Sequence, residues 1–113
     1  MTQEHIKWPF GKAEVLAPAF AAALNITVRN NLTFVNVVGA MSAGMTLNVT
    51  NEGVIEQGAR IVLKALSDGT ARTVTPGTGC SGVAEAGVIS KTKVIEFEYQ
   101  GTSWVLVNAR QID

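Results

Sequence analysis

From residue 24 onward, apolar and polar positions alternate along the chain with a period of two. Leu24, Ile26 and Val28 alternate with Asn25, Thr27 and Arg29, the spacing of a strand with one buried face and one wet face. Asn30 and Asn31 tolerate left-handed geometry and end this stretch in a turn. A second strand is predicted over 32–38, apolar on both faces, followed by a loop over 39–44. Met45, Leu47 and Val49 then alternate with Thr46, Asn48 and Thr50, a half-buried strand. Residues 51–58 read as a connection with Val54 and Ile55 turned inward, and 59–66 as a fourth strand. Ser67, Asp68, Gly69 and Thr70 give the strongest hairpin signal in the chain, with 71–75 as the return strand. A glycine-rich loop over 76–82 and a small-residue edge strand over 83–90 follow.

The pattern is clearest over 93–108. Ile95, Phe97 and Tyr99 alternate with Glu96 and Glu98. Residues 100–103 form a turn in which Gly101 can adopt a positive φ. Trp104 and Leu106 resume one face while Val105 and Val107 take the other. This is a β-hairpin holding three of the few aromatic residues, and its apolar face needs a second layer to cover it.

Residues 1–23 differ from the rest. Pro9 lacks a backbone donor and pushes Trp8 to extended geometry, and Pro18 interrupts the alanine-rich run around it. This segment reads as an extended N-terminal arm that carries Trp8, Pro9, Phe10, Val15, Leu16 and Phe20 as adhesive side chains. Either it lies across its own domain and fills a gap in the core, or it reaches a neighbouring subunit. The division is therefore an arm over 1–23 and a β-sandwich domain over 24–113. About eight short strands at roughly ten-residue spacing predict an all-β fold. Its expected form is an antiparallel, jelly-roll-like β-sandwich, with a small closed barrel as the alternative. No repeat at a fixed period marks a solenoid.

At 113 residues the chain forms one domain, 47% hydrophobic and only 16% charged, against the quarter or so usual for soluble domains. Nine basic and nine acidic residues balance to zero net charge. That leaves no electrostatic footprint for nucleic acid or an anionic membrane. A surface so poor in charge is expected to be covered by a partner. The leading residues lack the apolar core of a signal peptide, and no stretch approaches the roughly 20 apolar residues of a membrane span. The expectation is a protein made and folded in a cytoplasm.

Candidate chemistry is sparse. Cys80 is the single cysteine and His5 the single histidine, so neither a disulfide within the chain nor a Cys/His metal cluster is expected. Cys80 reads as a small buried hydrophobe. The 76–82 loop follows a strand but lacks the Lys-Ser or Lys-Thr ending of a phosphate loop, so its glycines are assigned to turn geometry. Asn25, Asn31 and Asn48 each begin an Asn-X-Thr pattern, which a wet strand face supplies without glycosylation. Glu96 and Glu98 resemble the paired carboxylates of a glycosidase, but alternating charge on a wet face, paired with Lys64 or Lys93, explains them more simply. Tyr99 and Trp104 are candidates for a sugar-stacking platform or, more simply, for the core and rim of the last hairpin. No catalytic residue, metal ligand or cofactor site is assigned.

The run from about Thr33 to Val107 resembles small β-rich structural proteins of tailed-bacteriophage virions. The resemblance is carried by Val38, Gly39, Ala40 and Met41 at a strand end and by the Thr-Leu-Asn-Val-Thr strand over 46–50. It continues in the Gly-Ala-Arg-Ile-Val-Leu-Lys run over 58–64, the Ser-Asp-Gly-Thr-Ala-Arg run over 67–72, and the hairpin sequence over 91–105. It implies a capsid decoration or auxiliary protein, or a head-fibre or tail component, often trimeric, located in the virion. Its partner would be the major capsid protein or another virion protein, and it implies no catalytic residues. The alternative is a carbohydrate-binding module of a fibre or tail component that uses Tyr99 and Trp104.

Overall fold

The computed structural model describes residues 13–113. These form ten strands and no helix: β1 (Glu14–Leu16), β2 (Ala23–Val28), β3 (Leu32–Asn36), β4 (Met45–Asn51), β5 (Arg60–Leu66), β6 (Thr73–Pro76), β7 (Cys80–Ser81), β8 (Glu85–Ala86), β9 (Thr92–Tyr99) and β10 (Trp104–Gln111). They make a six-stranded sheet ordered β1-β3-β5-β9-β10-β7 and a four-stranded sheet ordered β2-β4-β6-β8. One apolar core, with residues from both sheets, lies between them.

The all-β sandwich is as expected, but its antiparallel, jelly-roll-like form is corrected. β1 with β3, β3 with β5, β2 with β4, β4 with β6, and β10 with β7 are all parallel pairs. Only β5–β9, β9–β10 and β6–β8 are antiparallel. From β1 to β8 successive strands fall in alternate sheets, so the chain winds from one layer to the other. A parallel pair needs a crossover connection, and here the crossover for each sheet is a strand of the other. Each sheet therefore buries one face and wets the other, which gives the same alternation as an antiparallel sheet. The steps of this winding are uneven: Glu14 to Thr33 is 19 positions, Ala23 to Thr46 is 23, and Met45 to Val74 is 29. No fixed sequence period can arise from such steps.

The hairpin expected at residues 67–70 is likewise corrected. β5 and β6 lie in different sheets, so the turn carries the chain between layers. Its groups are satisfied locally. Thr70 N donates to Asp68 Oδ1 at 3.0 Å, the Arg72 guanidinium donates to both Asp68 oxygens at 2.9 and 3.0 Å, and Arg72 N donates to Ser67 Oγ at 3.1 Å. An Asp-Gly pair specifies a turn, not which strand lies beside which.

The last hairpin forms as read, with Trp104 opposite Tyr99 and Leu106 opposite Phe97. A bulge between Leu106 and Asn108 then shifts the register, leaving Val107 outward and placing Ala109 against the core. Leu47, Ile61, Leu63, Ile95, Phe97 and Trp104 are buried across the two layers, each apolar side chain of this size contributing roughly 1.5–3 kcal/mol of hydrophobic stabilisation. Trp104 Nε1 donates to Asn51 Oδ1 at 2.9 Å, which joins the two sheets and satisfies the indole N–H. In the 51–58 connection Ile55 is buried, but Val54 is exposed, not inward.

Candidate assembly surface

The sandwich is closed between its layers on one side by the glycine-rich crossing. Gly77 N donates to Leu47 O, Val49 N to Thr78 O, and Trp104 N to Gly79 O, all at 2.8–2.9 Å. The segment thus lies between β4 of one sheet and β10 of the other. A Cβ on Gly79, whose φ is +80°, would overlap the Val49 carbonyl, so this glycine is required by a close backbone approach. Toward β8 and β9, Lys93 Nζ meets Glu85 Oε2 at 2.7 Å between half-buried side chains.

The flank formed by β1 and β2 is different. Here a shallow open depression of about 420 Å³ is lined by Leu16, Ala17, Pro18, Asn25, Ile26, Thr27 and Arg29. Among the described residues β2 is the end strand of its sheet. Thr46 N donates to Ala22 O and Glu52 N to Val28 O, so the even-numbered residues of β2 turn their backbone groups toward β4. By the alternation of a parallel ladder, Ala23, Asn25 and Thr27 turn theirs outward, away from the sheet. This edge has six residues without a charge, a proline or a bulge among them, the features that ordinarily keep sheet edges from pairing.

Three of the side chains expected in the arm shape this flank. Residues 14–16 pair with β3, Ala19 bridges to Val38, and Phe20 N donates to Val38 O at 3.1 Å. Leu16 and Phe20 pack against the core, whereas Val15 is 64% exposed. The second half of the expected arm is therefore part of the sandwich. Glu14 fastens it: Asn30 Nδ2 donates to Glu14 Oε1 at 3.2 Å, and Arg29 lies 3.6 Å from Oε2. Trp8, Pro9 and Phe10 lie outside the described residues.

The two outer faces contrast. On the six-stranded sheet, Glu96 sits between Arg60 at 3.1 Å and Arg110 at 2.8 Å, and Glu98 lies 3.8 Å from Arg60. The partners are arginines, not the lysines expected, and Lys93 pairs with Glu85 instead. The Arg110 hydrogen bond holds the Glu96 carboxyl below its ordinary range, so this carboxylate keeps no proton to donate as a general acid. On the four-stranded sheet, the outward positions of β2, β4 and β6 are Ala23, Asn25, Thr27, Thr46, Asn48, Thr50, Thr73 and Thr75. None carries a charge. Asn48 Nδ2 donates to Asn25 Oδ1 at 3.0 Å, and Asn48 Oδ1 accepts from Thr78 N at 2.8 Å. Two of the three Asn-X-Thr asparagines thus serve this face, and Asn31 Oδ1 accepts from Glu56 N.

The sugar-stacking pair does not form a platform. Trp104 is 1% exposed and stacks inward on Tyr99, with ring centroids 5.0 Å apart. Neither indole face is open to a ligand. Cys80 is half-buried, and desolvation pushes its thiol up to about 11; at neutral pH it is not a thiolate nucleophile. Among the described residues no cluster of His, Cys, Asp and Glu is arranged to hold a metal ion, and no helix is long and apolar enough to cross a membrane.

Comparison with known protein families and with curated proteins finds no match to this chain. The sequence signal for the β1–β2 flank was present but ambiguous. The sequence reads Val15, Leu16 and Phe20 alike as adhesive, yet nothing in their spacing shows that Val15 turns outward from β1 while Leu16 and, beyond the strand, Phe20 pack on the core.

Proposed function

We propose that this chain is a structural protein of a tailed-bacteriophage virion, a capsid decoration or auxiliary protein that attaches through its leading segment and the flank of a homo-oligomeric sandwich. The observation that carries this reading is the β1–β2 flank, which among the described residues combines an uncharged sheet edge, an open depression and the exposed Val15. Sheet edges of this kind are acceptors for an added strand. The adjoining Thr/Asn face has no net charge to repel a second protein surface.

The partner in this reading is the major capsid protein or another virion protein, and the oligomer is a trimer, as the sequence resemblance implies. The adhesive residues are Trp8, Pro9, Phe10 and Val15, with Leu16 and Phe20 anchoring the segment to the core. The alternatives have less support: Glu96 is held between two arginines, and Trp104 is enclosed.

The test is co-sedimentation with particles that lack the protein. Deleting residues 1–12, which stops short of β1, is expected to abolish binding while the far-ultraviolet spectrum and thermal transition remain those of a folded sandwich. Undiminished binding by the folded deletion variant would overturn the reading. Deleting residues 1–20 is not an equivalent test, because it removes β1 and Phe20 from the fold.

A further inference from the structure

The turn that carries the chain from β5 to β6 holds a glycine that its own geometry does not call for. The φ of Gly69 lies outside the left-handed region, and a Cβ built on it would meet nothing within 4 Å. What glycine does supply is an exposed backbone nitrogen with no side chain beside it, directly after Asp68. A carboxyl so placed can close on the next peptide nitrogen. Gly69 N forms a bond to Asp68 Cγ and gives up its proton, the Cγ–OH bond breaks, and water leaves. Water then opens the succinimide at one carbonyl or the other. The products are aspartate again, or isoaspartate with the main chain lengthened by one carbon.

Asp68 is held against this step. Arg72 Nε and Nη2 donate to its two oxygens at 2.9 and 3.0 Å, and Thr70 N donates to Oδ1 at 3.0 Å. The planar guanidinium matches a planar carboxylate, and a Cγ made tetrahedral by attack would lose that two-point contact. The same Arg72 hydrogen bonds hold the carboxyl below its ordinary range, whereas only a protonated carboxyl has a hydroxyl to lose as water. Arg72 is itself fixed at its backbone, since Arg72 N donates to Ser67 Oγ at 3.1 Å and Arg72 O accepts from Gly87 N at 2.9 Å. The position guarded is a junction: Asp68 N donates to Met41 O at 3.2 Å, and Asp68 O accepts from Ser90 N at 2.9 Å. An extra main-chain carbon here would displace both contacts.

We infer that Asp68–Gly69 is a latent isoaspartate modification site and that the two-point Arg72 clamp keeps it closed in the native protein. Arg72 is thus a positioning residue whose effect is on the chemical persistence of the backbone. An ion pair that merely steadied the turn would leave the rate of reaction at Asp68 unchanged wherever the fold survives its loss. The inference stands apart from the assembly reading, since every group in it belongs to the turn and its neighbours.

The experiment incubates the full chain in warm neutral buffer and follows isoaspartate by peptide mapping, which separates isoaspartyl and aspartyl peptides of equal mass. The parent is compared with Arg72→Ala, with Arg72→Lys, with Arg72→Ala/Gly69→Ala, and with a synthetic peptide of residues 65–74. Partly exposed ion pairs contribute little to global stability, so thermal melts are expected to show Arg72→Ala folded. Isoaspartate is expected to accumulate several-fold faster in Arg72→Ala than in the parent, approaching the rate of the peptide. Arg72→Lys keeps the charge but loses the fork and is expected to fall between. Gly69→Ala, which the open space tolerates, is expected to return the double variant to a slow rate. A folded Arg72→Ala that reacts no faster than the parent would overturn the inference, as would a parent that reacts as fast as the peptide. A double variant that stays fast would place the reaction elsewhere and overturn it too. Should Arg72→Ala fail to fold, Arg72→Lys decides by the same comparison: a faster rate than the parent's supports the clamp, and an equal one sinks it.

Discussion

Thr33 is the one wholly buried polar side chain whose hydroxyl finds no hydrogen-bond partner among the described residues. It faces the core from β3, with Glu14 of β1 on one side and Ile61 of β5 on the other. Leaving a buried hydroxyl unpaired costs about 1–3 kcal/mol, and a methyl in its place adds roughly 0.8 kcal/mol of apolar burial. Valine has nearly the same shape and the same preference for a strand. Thr33→Val is therefore expected to stabilise the fold by about 1–2 kcal/mol after the hydroxyl's solvation in the unfolded chain is counted. For a domain of about 100 residues that raises the melting temperature by about 4–8 °C per kcal/mol. Thr33→Ser keeps the hydroxyl and deletes the methyl, so it is expected to destabilise by about 1 kcal/mol. Urea and thermal melts of the three proteins, with equal m-values, measure both. A Thr33→Val protein less stable than the parent would show that the hydroxyl has a partner and refute the reasoning.

Gly79→Ala places a Cβ against the Val49 carbonyl at a φ of +80° and is expected to lose roughly 2–4 kcal/mol in a denaturant melt, whereas Gly53→Ala, with a positive φ but open space around it, loses only about 1 kcal/mol. Glu96 has its carboxyl pKa lowered by Arg110, so its contribution is complete above the ordinary carboxylate value of 4.5 and is lost as pH falls through the depressed one; melts across that acid range are expected to show a shallower decline for Glu96→Gln than for the parent. Cys80, with its thiol near 11, is expected to react with iodoacetamide at pH 8 far more slowly in the native protein than in urea, since only about one thiol in a thousand is ionised there; equal rates would place it at the surface.

The strands themselves were legible because their apolar positions recur with a period of two. Seven of the eight segments read from the sequence coincide closely with β2 to β6, β9 and β10, and the eighth shrinks to the two residues of β8. Partner choice was not legible. When crossovers run through the opposite sheet, parallel strands show the same half-buried alternation as antiparallel ones. The uneven steps, 19 positions from Glu14 to Thr33 against 28 from Leu32 to Arg60, erase the period that would expose the winding. β1 and β7 escaped notice for a different reason. Three and two residues are too few to carry a pattern, and both are held by neighbours distant in sequence. The same holds for the site: Glu96 and Glu98 were placed correctly on a wet face, but only the bulge-shifted register of β10 brings Arg110 to Glu96.

That bulge also shows how little of the candidate surface depends on chemistry. Arg60 and Arg110 neutralise Glu96 and Glu98 across β5, β9 and β10, while the outward positions of β2, β4 and β6 present hydroxyls, amides and the Ala23 methyl. The difference between the faces, and the open flank where they meet at β1 and β2, is what the assembly account explains.

Electron cryomicroscopy of particles bearing the chain tests that account most directly. The account predicts that the sandwich sits with its β1–β2 flank against neighbouring protein, with strand density alongside Ala23–Val28 and side-chain density filling the depression between Leu16 and Ile26. A sandwich attached through the β9–β10 face, with the β2 edge bare to solvent, would contradict it.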